Sequence, residues 1–201
     1  MIIAELRSLR WADLFLHTLV DPRALYRQIA RKEPRPLALS FLVPAVVSAA
    51  GILTTSILAG QTSFFYYKIT YGWILLFLFN SLTVLFAAGL MDMAAQFLGF
   101  RGNMRDLVPL LNFSLFPRAF ILPLVYIFKA FNFAPIFFYS FFLLGLLIWS
   151  AFIAVQGVAE MHNCGFGRAV LVYLFPGLLT GVALFFMAIL LAICGAGYIA
   201  G

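Results

Sequence analysis

Asp92, Gln96, Gln156 and Glu160 are the residues whose types and spacing could do chemistry in this sequence. Each carboxyl stands four residues from an amide, the interval that places two side chains on one helix face. Both pairs lie toward the end of a long apolar run. An ionisable group at membrane depth is costly and marks a functional candidate by default. Read as continuous helix, the stretch from Asp92 to Arg101 is about 13 Å long, which puts Asp92 near a bilayer midplane and Gln96 at the depth of Gln156. A polar seam of these four residues, capped by Arg118, would satisfy its members through interhelical hydrogen bonds. One reading is that the seam fixes helix packing; the other is a proton or ion relay with Asp92 as the titrating carboxyl.

Soluble catalytic chemistry finds no set of residues here. The two histidines, His17 and His162, belong to no HExxH motif, the sequence has no GxSxG, and no Cys/His group has tetrahedral metal-ligand spacing. Glu160 and His162 are two apart and do not share a helix face, so no metal is expected. The glycine-containing strings GNMRD and GFGRA lack a Walker lysine, and no cofactor is expected. Cys164 and Cys194 are separated by about one bilayer crossing of helix, too far for a disulfide, and read as free thiols. The expectation is a protein that is not an enzyme.

The elements that must position these residues are membrane spans. Of the 201 residues, 65% are hydrophobic and 10% charged, with a mean hydropathy of +1.07, whereas a soluble chain is about half apolar and a quarter charged. A soluble domain, a disordered tail and a disulfide scaffold are excluded. A spanning helix needs about 20 mostly apolar residues, and the charges divide the chain into spans at about 36–60, 70–100, 118–132, 133–159 and 168–200, with an interfacial helix at about 104–115. The fold class is therefore all-α, a polytopic membrane bundle of five transmembrane helices preceded by amphipathic interfacial helices. Pro117 and Pro123 make the third span short, and a re-entrant segment is its alternative.

Of the 13 Lys and Arg residues, all but Lys68 and Lys129 fall on the N-terminal side of the membrane in this topology. The positive excess is cytoplasmic, so the N-terminus is expected inside and Gly201 on the far side. Residues 1–35 form a basic arm with no run of signal-peptide length. Asp21-Pro22 reads as an N-cap followed by Pro at the first helical position. From there Arg23, Arg27 and Arg31, with Lys32, line one face and Leu25, Tyr26 and Ile29 the other. That pattern suits a helix in the headgroup plane, with each cation contributing about 1 kcal/mol near anionic lipid. Despite a pI of about 9.6, the charges are spread over membrane-adjacent loops, and no nucleic acid is expected.

Small residues complete the inventory. Gly177 and Gly181 form a GxxxG after Pro176, and Ala45, Ser48 and Ala49 make a small face in the first span; both patterns permit close helix packing. Asn80 reads as an interhelical hydrogen-bond partner. Tyr66, Tyr67, Tyr71, Trp73 and Trp11 read as interfacial anchors, and the 24 Phe residues as lipid-facing bulk.

Three strings, DPRALYRQIARKEPRP, LGFRGNMRDLVPLLNFSLFPRAF and VQGVAEMHNCGFGRAVLVYLFPGLL, resemble the Yip1 family, in its short bacterial branch. The third is the most specific: an acidic residue and His at a helix end, a Gly-containing turn, and a basic-Ala step into an apolar helix. The resemblance implies a five-span protein with a cytosolic N-terminus. Eukaryotic members act in vesicle trafficking with Rab GTPases and carry DLYGP before their spans; here Asp106-Leu107-Val108-Pro109 stands instead, and GTPase binding is not carried over. The expected function is a non-enzymatic scaffold or accessory factor organising partners or lipids. The rival is a small transporter or permease component using the polar seam. Expected partners are membrane lipids with anionic headgroups and a membrane protein or a second copy of the chain.

Overall fold

The computed structural model describes residues 11–31, 36–59, 65–131 and 135–200. Among these residues the chain is almost wholly helical and contains no strand. Lys32 lies outside them, as do the side chains of Trp11, Arg31, Tyr66, Tyr67 and Cys194. Two helices, α1 (Trp11–Val20) and α2 (Pro22–Arg31), make up the described part of the arm. The backbone N–H of Ala24 donates to Asp21 Oδ1 at 3.1 Å, so Asp21 caps the third residue of α2 and Pro22 takes the first position, where its missing N–H costs nothing.

The bundle follows as α3 (Leu37–Ser40), α4 (Leu42–Ala59), α5 (Phe65–Phe97), α6 (Met104–Ser114), a 3₁₀ turn (Phe116–Phe120), α7 (Ile121–Ala130), α8 (Pro135–Met161) and α9 (Phe166–Ala200). Five segments are long and apolar enough to cross a membrane: Leu37–Leu58, Tyr71–Phe97, Met104–Ala130, Ile136–Met161 and Phe166–Leu191. The protein is thus an all-α helical membrane bundle. In the third segment the stretch expected as an interfacial helix is packed into the core. Residues Asp106 to Ser114 of α6 are all buried, between the arm, α3, α5 and α8.

The main core gathers at one end, termed here the arm end, where α1, α2 and α6 surround the last turns of α5 and α8. Leu14, Leu25, Ile29, Leu110, Phe113 and Val158 are among its fully buried side chains. The amphipathic face of α2 is therefore covered by protein. Leu25 and Ile29 are 0% exposed, and Phe15 of α1 sets its ring 4.6 Å from that of Phe116. α6 and α8 approach closely at Gly157, where any Cβ would overlap the Leu110 side chain. Polar pins hold the layers in register. Asn112 Nδ2 of α6 donates to Ser40 Oγ at 2.8 Å, both residues being fully buried, and Asn80 Nδ2 of α5 donates to Ser48 Oγ of α4 at 2.9 Å. At the opposite end the Lys129 ammonium donates to the Ile57 carbonyl.

Candidate functional site

The arm end is built on two matching helix terminations. α5 stops at Phe97, after which Gly99 takes a positive φ of 82°. The Phe100 N–H reaches back to the Ala95 carbonyl at 2.9 Å and the Gly99 N–H to that of Gln96 at 3.0 Å, a Schellman cap. α8 ends the same way. Asn163 has φ 47°, the Cys164 N–H reaches Ala159 at 3.0 Å, and the Asn163 N–H reaches Glu160 at 3.4 Å. Asn is the non-glycine residue best able to adopt this conformation. The two caps lie side by side, with the Phe100 and His162 rings 5.4 Å apart.

This early stop changes the position of Asp92. Because α5 ends at Phe97 and does not run to Arg101, Asp92 lies only about 8 Å from the helix end, beneath the turn that follows. At Gly102 a Cβ would overlap Asp92 Oδ1 and Gln96 Nε2, so glycine is what lets that turn close over the pair. Gln96 Nε2 donates to Asp92 Oδ2 at 3.0 Å, while Asp92 Oδ1 is buried without a hydrogen-bond partner.

The second pair engages the arm. Arg23 Nε donates to Gln156 Oε1 at 2.9 Å, and Arg27 Nε stands 3.6 Å from Glu160 Oε1. The four residues read as one seam are thus, among the described residues, two separate pairs. One is folded under the 98–103 turn and the other clamped by α2. Arg23 and Arg27, the cations assigned to headgroups, remain exposed at the same time as they hold α8. Arg118 joins neither pair; it lines a cavity between α5, α6, α8 and α9.

His162 sits next to the first pair. Burial pushes its pKa below the ordinary histidine value and the nearby Asp92 charge partly offsets this; Nε2 is buried without a partner. Burial likewise raises the Cys164 thiol, against smaller opposing effects of its backbone hydrogen bond and Arg168, which disfavours a reactive thiolate. Among the described residues no group of three or more His, Cys, Asp or Glu could hold a metal ion.

The small residues separate. Nothing lies within 4 Å of a Cβ built on Gly177 or Gly181, so this GxxxG packs against no other described helix. Ala45 and Ala49 are half-buried on α4, next to the fully buried Ser48 that receives Asn80. The grouping that sequence reasoning missed is Arg118 with Tyr173 and Ser150, three residues far apart in sequence whose only local signal is polarity within apolar runs.

Five helices long and apolar enough to cross a membrane, with two carboxyl–amide pairs at one end, define a polytopic α-helical membrane protein without a recognisable catalytic set among the described residues. The Yip1 domain model matches residues 16–193, and the chain belongs to the Yip1 family. No curated protein and no solved structure is similar enough to match.

Proposed function

We propose that this protein is a non-enzymatic scaffold or accessory factor of a bacterial cytoplasmic membrane. In this reading it has an arm (1–35) and a membrane domain (36–201), with the arm end facing the cytoplasm. The observation that carries the reading is the docking of α2. Its apolar face is spent on the core, with Leu25 and Ile29 0% exposed, so α2 has no free apolar face with which to dip into lipid. The arm end presents a cationic rim, since Arg23 and Arg27 of α2 and Arg101, Arg105 and Arg168 of the membrane domain are all exposed. A rim of that kind suits anionic headgroups, at about 1 kcal/mol per cation, or an acidic partner protein. The orientation rests on the positive excess of the same end. A relay is less well supported, because Asp92, Gln96, Gln156 and Glu160 cluster at one end and supply no polar path through the membrane.

The test is to isolate the full chain in native-lipid particles and identify by mass spectrometry what stays bound, comparing wild type with the Arg23→Glu/Arg27→Glu double variant. A reproducible protein partner or enrichment of anionic lipid, lost in the variant, is the expected result. A stoichiometric small solute or ion, with neither partner nor lipid enrichment, would overturn the reading in favour of transport.

A further inference from the structure

Arg118 is a charged side chain within the third spanning segment, and among the described residues it has no carboxylate partner and its buried Nε makes no hydrogen bond. Membrane arginines are ordinarily paired or face a functional cavity. Arg118 faces a cavity of about 310 Å³. Of the other polar residues lining it, Asn80, Thr83 and Ser114 are already hydrogen-bonded, which leaves Ser150 and Tyr173. Ser150 Oγ is buried without a partner, and Tyr173 lines the cavity with Arg118. Arg118 and Ser150 thus line one cavity, and each carries an unpartnered donor within its wall, a composition complementary to an anion with several acceptor oxygens.

The shape of the cavity limits what that anion belongs to. Along α5 its wall runs from Met91 to Asn80, about 16 Å of helix, or half of a hydrocarbon core about 30 Å thick. Much of this wall is apolar, with Val84, Ala87 and Leu174 among its residues. Thr83, Leu174 and Gly177 line it and are exposed on the outside of the bundle, so its mouth opens sideways, where acyl chains lie. Ser150 is about 22 Å along α8 from the far end and Tyr173 about 10 Å along α9 from Phe166, which places the polar groups in the arm-side leaflet. A charged group at one leaflet's depth beside an apolar slot one leaflet long matches a lipid better than a soluble ion.

We propose that this cavity binds one anionic phospholipid of the arm-side leaflet, with Arg118, Ser150 and Tyr173 on its phosphate and an acyl chain against α5 and α9. This site is separate from the cationic rim and does not depend on the accessory-factor reading.

The experiment is native mass spectrometry of the full chain in a neutral detergent, offered dioleoylphosphatidylglycerol, dioleoylglycerol or sodium phosphate. The expected result is one phosphatidylglycerol retained per chain in preference to the phosphate-free diacylglycerol, with retention weakened at least about tenfold in Arg118→Gln. Gly177→Leu, which fills the mouth at a position open to a larger side chain, weakens it similarly and decides the matter if Arg118→Gln does not fold. The loss specific to Arg118→Gln and Gly177→Leu distinguishes this site from headgroup binding at the cationic rim, which both variants leave in place. Three outcomes overturn the proposal: equal retention of the two lipids, wild-type retention in the folded cavity variants, or inorganic phosphate occupying the site in place of lipid.

Discussion

His162 carries its ring into the space between two helix caps, and the balance of burial against the Asp92 charge favours the neutral imidazole. The folded state then binds fewer protons than the unfolded chain, so stability is fully present above the unfolded histidine pKa of about 6.5 and is lost as pH falls through the depressed folded value. The expected outcome is a lower melting temperature in detergent at pH 5 than at pH 7.5, with the difference diminished in His162→Gln; an unchanged pH dependence in that variant would place the acid sensitivity elsewhere. The neighbouring Asp92 shows how a local count can mislead. Counting continuous helix to Arg101 overstates its distance from the helix end, because the left-handed Gly99 ends α5 at Phe97 and the Gly102 turn folds back onto the carboxyl. The residue types of the pair were readable, and its depth depended on a cap that the apolar pattern does not announce.

Among the elements, α6 is where packing is least forgiving. All its residues from Asp106 onward are buried, and its contact with α8 runs through Gly157, whose missing side chain is the space that Leu110 fills. Gly157→Ala is expected to destabilise the bundle by about 1–3 kcal/mol through overpacking, despite the gain in helix propensity, whereas Gly165→Ala, with nothing within 4 Å of its Cβ, is close to neutral. Thermal unfolding of the two variants checks this, and equal melting temperatures would mean that Leu110 repacks freely. These elements also separate what was legible from what was not. The start of α2 could be read because a cap is local: Asp21 and Pro22 act within one turn. The crossings could be read because length and apolarity suffice. The covering of α2 could not, since an amphipathic face is satisfied equally by acyl chains or by α6 and α8. Nor could the Arg118, Tyr173 and Ser150 grouping, which exists only once four helices have assembled.

At the scale of the whole molecule the number of crossings turns on the third segment. Its 27 residues from Met104 to Ala130 have the length and apolarity of a span, but α6 is wrapped in protein at the arm end. The remaining path from Phe116 to Ala130, a 3₁₀ turn followed by α7, is about 25 Å long, somewhat short of a hydrocarbon core about 30 Å thick. A bilayer can thin locally to meet a short element at modest cost, and Lys129 at its end, bonded to the Ile57 carbonyl, is placed to reach polar headgroups. A full crossing puts the two ends of the chain on opposite sides, while a re-entrant third segment puts them on the same side. With the native cysteines replaced, single thiols introduced as Ser8→Cys and Gly201→Cys distinguish these cases when a membrane-impermeant maleimide is applied to intact cells and to inverted vesicles. The positive excess at the arm end predicts that Ser8→Cys labels only in inverted vesicles. Five crossings predict that Gly201→Cys labels only from outside, and labelling of both positions from one side would remove the third crossing.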